Sequence, residues 1–534
     1  MNKLIRGKQS QASLSKLALA VAMGVVTTPL LADDTFTYDG YLRQEMSWNM
    51  KNWEDTPGYD DKGKLSMMRS TARLNLQWKP TDNLSFVAKL RGVREVETNF
   101  LKHLEKNGAY NYHEADGRGD IKDLYNRTDI RELYVDFPIG ERTWVRLGKQ
   151  QIAWGETDFF AANDLVHGFD YTWRSFLEPA NEELRKTNIM AKFNIDVQEL
   201  NGGIELFIRP GLDSKRDLGQ EIDIYGGRWS SDPYASVDFR NIDPYNFNHE
   251  DGDRHDVTGG IRWNGLWDDT NYSFSYLRTY YNSPILNPAN NLALLGMPNV
   301  PSGAVTTDGE QTRGLAGEII YPIVDIFGFT ASRYSDAADA VFSTELAYIK
   351  DAPYQFEAAV PTLISQFVAP GFDGYTKKDV LALMLRMDKN LAFTQSLLGT
   401  EKPTFFSVQL FDKWVQNYDE DDNLLYSVGW GGKVKEHSVI GTMIFDMSYA
   451  NGRIRPNLVL GSDLSNGGGF AVPSVTFELS SKLKWKVEYD AFWDDEHHDT
   501  KKCQPGNLAT CENTTLFGYL HNRDQLYTSL TYLF

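Results

Sequence analysis

The sequence predicts an all-β fold, a single closed antiparallel barrel of about 18 strands (16 in the alternative count) that crosses a membrane with strands. Three observations carry this expectation. Apolar and polar residues alternate over runs of ten residues or more. Short turns and long loops take turns between those runs. The chain ends on Phe534, with apolar residues at alternate positions before it.

The first element is a leader. Lys3, Arg6, Lys8 and Lys16 make a basic start, Leu17 to Val26 is a short apolar run, and small residues follow up to Ala32. That is the layout of a secretory signal peptide, and the apolar run is too short to span a bilayer as a helix. Residues 1–32 are expected to be removed, leaving 33–534 as the barrel. They hold four of the 54 basic and none of the 73 acidic side chains, so the mature chain has a formal charge of −23. Nucleic acid is excluded as a partner on that balance. Length alone would suit several soluble domains, but no linker or composition shift divides the chain. Mean hydropathy is −0.44, and no mature segment is apolar long enough for a transmembrane helix. A barrel needs only every second side chain to be apolar.

The strands follow. Phe36, Tyr38, Gly40, Leu42, Met46 and Trp48 share one face; Thr37, Asp39, Tyr41, Arg43, Glu45 and Ser47 share the other. Ala72, Leu74, Leu76 and Trp78 oppose Arg69, Thr71, Arg73 and Asn75. Leu483, Trp485, Val487, Tyr489 and Ala491 oppose Lys484, Lys486, Glu488 and Asp490. Ten residues suffice for a tilted strand to cross a bilayer. Asp129–Phe137 and Gly203–Arg209 alternate weakly, which leaves 16 strands open. Short connections are read at Pro80–Asn83, Pro138–Glu141, Ser335–Asp339, Ala450–Arg453 and Ser480–Lys482. Long ones are read at 98–129, 154–186, 210–253, 282–323, 351–378 and 494–522. Outer-membrane barrels have this asymmetry, with short turns on the periplasmic side. Trp48, Trp78, Trp144, Trp263, Trp485 and Trp493 near strand ends suit interfacial girdles.

In the last strand Leu530, Tyr532 and Phe534 fall on one face, the pattern expected of an assembly signal read by the barrel-assembly machinery. Outer-membrane lipid and lipopolysaccharide would then cover the outside. Cys503 and Cys511 share the last long loop with Pro505 and Gly506 between them, and a disulfide is expected in an oxidising exterior. The adjacent run Asp494–Asp499 reads as a solvated acidic loop, so no metal site and no cofactor are expected. Neither a nucleophile elbow, a zinc-binding helix pair nor a phosphate loop is present, so the chain is not expected to be an enzyme.

The polar face should line the lumen. Arg43, Arg69, Arg73, Arg91, Glu132 and Arg146 are in phase with it, as wet-pore charges or as struts. Two long loops are apolar: Ile285–Pro288 with Leu292, Leu294 and Leu295, and a second with Leu363, Ile364 and Phe367. Water would not leave such surface exposed. These loops are expected to fold into the barrel mouth or to bind an apolar ligand.

Leu147-Gly148-Lys149-Gln150, followed by Trp154-Gly155-Glu156-Thr157-Asp158, is similar to a segment of a family of Gram-negative outer-membrane β-barrel proteins catalogued as a domain of unknown function. Arg131–Val135 and Thr344–Tyr348 resemble that family too, and the resemblance covers nearly all of the mature chain. Members often stand beside a periplasmic protein with a lipoprotein-carrier-like fold and an RND-type exporter. That setting implies movement of lipids or other hydrophobic compounds, and it supplies no catalytic residues. From the residues themselves, Gln150 points inward with Arg146, and the Trp154–Asp158 turn opens a long loop that could fold back as a constriction. Gln150, Trp154, Glu156 and Asp158 therefore join the lumen candidates. The expected function is a channel for hydrophobic or lipid-like compounds, one part of an envelope-spanning route. The alternatives are a general diffusion porin and a surface-binding or adhesive barrel.

Overall fold

The structure, a computed structural model, describes residues 35–52, 60–107, 122–155, 157, 160–171, 174–178, 181–211, 228–229, 242–243, 248–253, 255–283, 285–288, 317–358, 373–426, 432–494 and 516–534. The barrel strands are, in chain order, β1 Phe36–Asn49, β2 Leu65–Thr81, β3 Leu84–Glu95, β4 Arg127–Ile139, β5 Thr143–Gln150 and β6 Asn188–Val197. Next come β7 Gly202–Arg209, β8 Thr258–Trp267, β9 Thr270–Tyr280, β10 Ile323–Ser335, β11 Ala340–Phe356 and β12 Gly374–Leu391. The last are β13 Thr404–Val415, β14 His437–Asp446, β15 Ile454–Asp463, β16 Gly469–Glu478, β17 Leu483–Trp493 and β18 Gln525–Leu533.

Each strand pairs antiparallel with its neighbours in this order, and β1 also pairs with β18 from Tyr41 opposite Leu533 to Asn49 opposite Gln525. The sheet is therefore a closed barrel of 18 strands. Closure satisfies backbone groups between strands and leaves no edge, the condition for crossing lipid without helices. No described helix is long and apolar enough to cross a membrane. The two weak segments are full strands, β4 and β7, which settles the count at 18 rather than 16. The connection read at 351–378 is shorter than the sequence suggested. β11 and β12 continue as a paired hairpin to Phe356 opposite Gly374.

Side-chain alternation sorts the wall into two faces. Glu45, Ser47 and Asn49 are buried inside, whereas Leu42 points out and is exposed. Ile189, Ile208, Ile261, Phe274, Phe327 and Leu385 are likewise exposed on the outside, an apolar belt of the kind lipid covers. Trp78 stacks on Phe86 at 5.3 Å and Trp485 on Phe477 at 5.1 Å. Both pairs sit beside short turns, where an interfacial girdle belongs. The two-residue turn Asp268-Asp269 has positive φ at both residues, the conformation of a hairpin turn whose twist matches its strands.

One irregularity changes the lumen. The register of β3 against β4 slips between Lys89 and Leu90. Arg131 and Glu132, consecutive in the chain, are both buried, while Ile130 and Leu133 on either side are exposed. This β-bulge sends an extra arginine inward.

Candidate functional site

The connection between β5 and β6, residues 151–187, turns into the barrel. Its described residues touch inward-facing side chains around most of the circumference. On one side the contacts are charged. Glu183 accepts hydrogen bonds from Tyr41 Oη of β1 at 2.9 Å and from Arg73 of β2. Its second carboxylate oxygen accepts from Arg91 of β3 at 3.1 Å. Arg131 donates to the backbone carbonyls of Glu182, at 2.7 Å, and Arg185. Glu178 lies 3.5 Å from Arg43. Arg174 donates to Glu488 at 2.6 Å and Asp490 at 3.1 Å on β17, and lies 3.7 Å over the Tyr527 ring of β18.

Burial would raise the Glu183 carboxyl, but Arg91 and Arg73 outweigh it and hold the group down at about 2. Glu178 goes the other way. Burial and the nearby Glu45 push it up against the pull of Arg43 and Arg174. Buried ion pairs add little net stability compared with apolar packing, but an unpaired member is costly. Their effect here is to define where the loop sits.

On the opposite side the contacts are apolar. Ile152, Trp154, Ala162 and Val166 of the loop pack with Met190 (β6), Phe207 (β7), Leu277 (β9), Val324 and Ile326 (β10), Ala347 and Ile349 (β11), Val380, Ala382 and Met384 (β12) and Phe411 (β13). Trp154 is 1% exposed and meets Phe207 edge-on at 5.4 Å. Its indole N–H donates to Glu205. The ring fits because residue 260 is glycine: a Cβ there would lie 2.5 Å from it. A second cluster centres on Phe176, whose ring lies 5.0 Å from Phe470, 6.4 Å from Phe492 and 5.8 Å from Phe160. Phe160 in turn reaches Phe411 at 5.7 Å. The aromatic chain joins the two clusters, from β13 to β16 and β17.

His167 fastens the loop to its own start. Its Nε2 accepts from the Ile152 backbone N–H at 2.9 Å, and Nδ1 lies 2.9 Å from Asn188 Oδ1. An imidazole that accepts must be neutral. Burial, with Arg209 and Arg185 nearby, lowers its pKa to about 3.

Beyond the loop a cavity of about 740 Å³ remains in the lumen toward the short-turn end. Leu177 and Glu178 roof it, and β14 to β17 wall it. Ile444, Val459 and Val472 give it an apolar strip beside Arg455, Lys484, Lys486 and Glu488.

The candidates read from the sequence are distributed as follows. Arg43, Arg73 and Arg91 meet the loop as struts. Arg69 pairs with Glu95 at 3.1 Å within the wall. Arg146 pairs with Asp136 at 2.7 Å and covers the Tyr134 ring. Glu132 binds Lys89 at 3.1 Å and receives Gln151 at 2.7 Å. Gln150 is fully buried and donates to the Met190 carbonyl at 3.0 Å. Trp154 begins the inward turn. Ile285 and Leu286 are buried in the short strand Ile285–Pro288, and Gln355 of β11 donates to the Leu286 carbonyl at 2.9 Å. Glu156, Asp158, Leu292, Leu294, Leu295, Leu363, Ile364, Phe367, Cys503 and Cys511 lie outside the described residues. Sequence reading missed Arg131, Arg174, Glu178 and Glu183, and it missed the apolar lumen wall. The signal for the wall was present: Ile326–Phe329 and Val380–Leu385 are apolar on both faces, as in strands buried on both sides.

The chain matches the profile described as "Protein of unknown function (DUF1302)" over residues 52–534. It belongs to this family. No curated protein matches it in sequence. Among solved structures, this DUF1302 barrel is similar to OccAB2 of Acinetobacter baumannii, with 8% identity, TM-score 0.46, and coverage of 94% of this chain and 98% of that one. It is also similar to the outer membrane protein opdK of Pseudomonas aeruginosa, with 6% identity, TM-score 0.44, and coverage of 94% and 99%. An anion-selective porin from Comamonas acidovorans matches at 10% identity, TM-score 0.36, with coverage of 93% and 99%. Overlap this loose says nothing about what passes through the DUF1302 barrel.

Proposed function

We propose that this protein is an outer-membrane channel for hydrophobic or lipid-like compounds, closed at rest by the folded-in loop. The observation that carries the reading is the apolar lumen wall on β6 to β13, where Leu277, Val324, Ile326, Ile349, Val380 and Met384 face inward. A water-filled pore has a polar interior. An alkyl chain burying about ten methylenes against such a wall gains roughly 8 kcal/mol gross, enough to compete with the loop residues that occupy it. The apolar belt on the outside supports the outer membrane as the location. The cavity toward the short-turn end supports exchange with a periplasmic carrier of lipoprotein-carrier-like fold, fed or drained by an RND-type exporter. A diffusion porin is favoured only by the polar part of that cavity, where Arg455, Lys484 and Lys486 stand.

Reconstituted protein can be given a fluorescent fatty acid in one assay and a sugar-swelling assay in the other. The proposal expects saturable fatty-acid binding and little sugar flux. Rapid sugar flux with no fatty-acid binding would replace it with the porin.

A further inference from the structure

We infer that the seam between β16 and β17 is a side portal through which the apolar body of an amphiphile held in the lumen cavity reaches the membrane core; this rests on the reading of the barrel as a route for apolar compounds. The ladder between these strands runs from Gly469 opposite Trp493 to Ala471 opposite Ala491, then resumes at Ser474 opposite Glu488. Val472 and Pro473 face Asp490 and Tyr489 without pairing. The register is the same on both sides of the gap, so the strands have not slipped. Pro473 has no N–H to give, and proline in the middle of a closed sheet is out of place. The weakness is one-sided: against β15 the same stretch is paired without a break from Ile454–Phe477 to Ser462–Gly469.

The gap opens onto the cavity. Val472 and Ser474 on one strand and Lys486 and Glu488 on the other line it. Pro473 is exposed on the lipid side. Asp490 lies fully buried on the lumen side of the seam. One of its carboxylate oxygens accepts from Arg174, and the other has no partner. Arg174 also holds Glu488, so the loop that closes the lumen also pins β17 beside the gap. Displacing the loop would free both. The cavity's Ser474, Thr476 and Lys486 suit a polar head, while Val472 leads an apolar body to the seam.

Residues opposite each other in an antiparallel pair have Cα atoms about 4.5–5.5 Å apart, a span a disulfide can bridge. Ala471→Cys with Ala491→Cys, opposite each other at the rung beside the gap, would pin the seam while keeping both Pro473 and Arg174. Leu385→Cys with Leu410→Cys, opposite each other on β12 and β13, is the control. Cys503 and Cys511 are replaced by serine in both. The measurement is transfer of an anthroyloxy-labelled stearic acid from reconstituted protein into its own bilayer. Oxidising the seam pair should slow transfer about tenfold, equal to about 1.4 kcal/mol of barrier; reduction should restore it, and the control should not respond. Equal rates in the oxidised and reduced seam pair would overturn the portal. If the probe does not bind the wild-type protein, the hydrophobic channel fails instead. The seam is then judged by hydrogen exchange. The portal expects faster exchange at Tyr489, whose amide faces Pro473 across the gap, than at Val459 and Val472, which pair with each other across β15 and β16, and equal protection would refute it.

Discussion

Removing the Glu183 carboxylate should release the loop from the lumen. The side chain is 6% exposed and joins three strands through Tyr41, Arg73 and Arg91. Glu183→Ala leaves Arg73 with the half-exposed Glu182 at 2.8 Å and Arg91 with Asp129 at 2.9 Å. Removing one partner of a buried pair costs about 3–5 kcal/mol, and the remaining partners favour the low end. The carboxyl's own acidity agrees. A group held at about 2 instead of 4.5 contributes about 3 kcal/mol to the in-folded loop. Because the in-folded pKa is depressed, that contribution is complete above about pH 4.5 and is lost as pH falls toward 2. About 3 kcal/mol is roughly a hundredfold in a population. Single-channel recording should therefore show the open fraction of Glu183→Ala rising by about two orders of magnitude at neutral pH, with Glu183→Gln between it and wild type. Barrel insertion and heat-modifiable migration should not change, because no strand pairing uses this residue. An open fraction equal to wild type, in a correctly inserted variant, would show that Glu183 does not hold the loop.

Further outcomes are expected. His167 must stay neutral to accept from Ile152, and its pKa is lowered from 6.5 to about 3; loop retention should weaken by about 1.4 kcal/mol per pH unit on acidification between those values. His167→Gln should lose that pH dependence of conductance, and an unchanged slope would remove His167 from the account. At Gly40 a Cβ would lie 2.2 Å from the Arg73 carbonyl oxygen and 2.7 Å from the Phe534 ring, so Gly40→Val should impair insertion, as loss of Phe534 should; normal insertion kinetics would contradict this. Leu385→Arg, facing lipid, should destabilise the barrel by about 2–4 kcal/mol if near the midplane, whereas Met384→Gln should alter ligand binding. Identical unfolding titrations with identical ligand affinity would mean that the faces are misassigned. Cys503 and Cys511 should map as one disulfide by non-reducing mass analysis, and two free thiols would refute it.

The parts of this fold legible in the sequence are those where the two faces differ in polarity. β1, β2 and β17 alternate charge against hydrocarbon, and their inward sets were readable residue by residue; β18 sets uncharged polar residues against hydrocarbon. Across β10 and β12 the alternation vanishes, since Val324 and Ile326 inside are as apolar as Phe327 and Phe329 outside. The inner face there is apolar because the loop packs on it; a stretch apolar on both faces is legible locally, but which distant segment covers its inner face is not. The same holds for the struts. Glu183 meets Arg73 across 110 residues and Arg174 meets Glu488 across 314. The inward Arg131 depends on a bulge whose only trace is one extra residue against β3. What sequence did convey was the inward turn beginning at Trp154, because an aromatic followed by Gly155 breaks the strand pattern there.

The apolar lumen, not only the outer belt, should receive hydrophobic chains. A diazirine-bearing fatty acid, photolysed with the reconstituted protein and mapped by mass spectrometry, tests it most directly, because neighbouring residues on one strand face opposite media. On β12, Ala382 and Met384 point inward, while Leu383 and Leu385 face lipid. Adducts should form on Ala382 and Met384 as well, with Ile349 and Val380, and unlabelled fatty acid should compete these away while the outer adducts persist. Labelling confined to Leu383, Leu385 and the rest of the outer belt would contradict it.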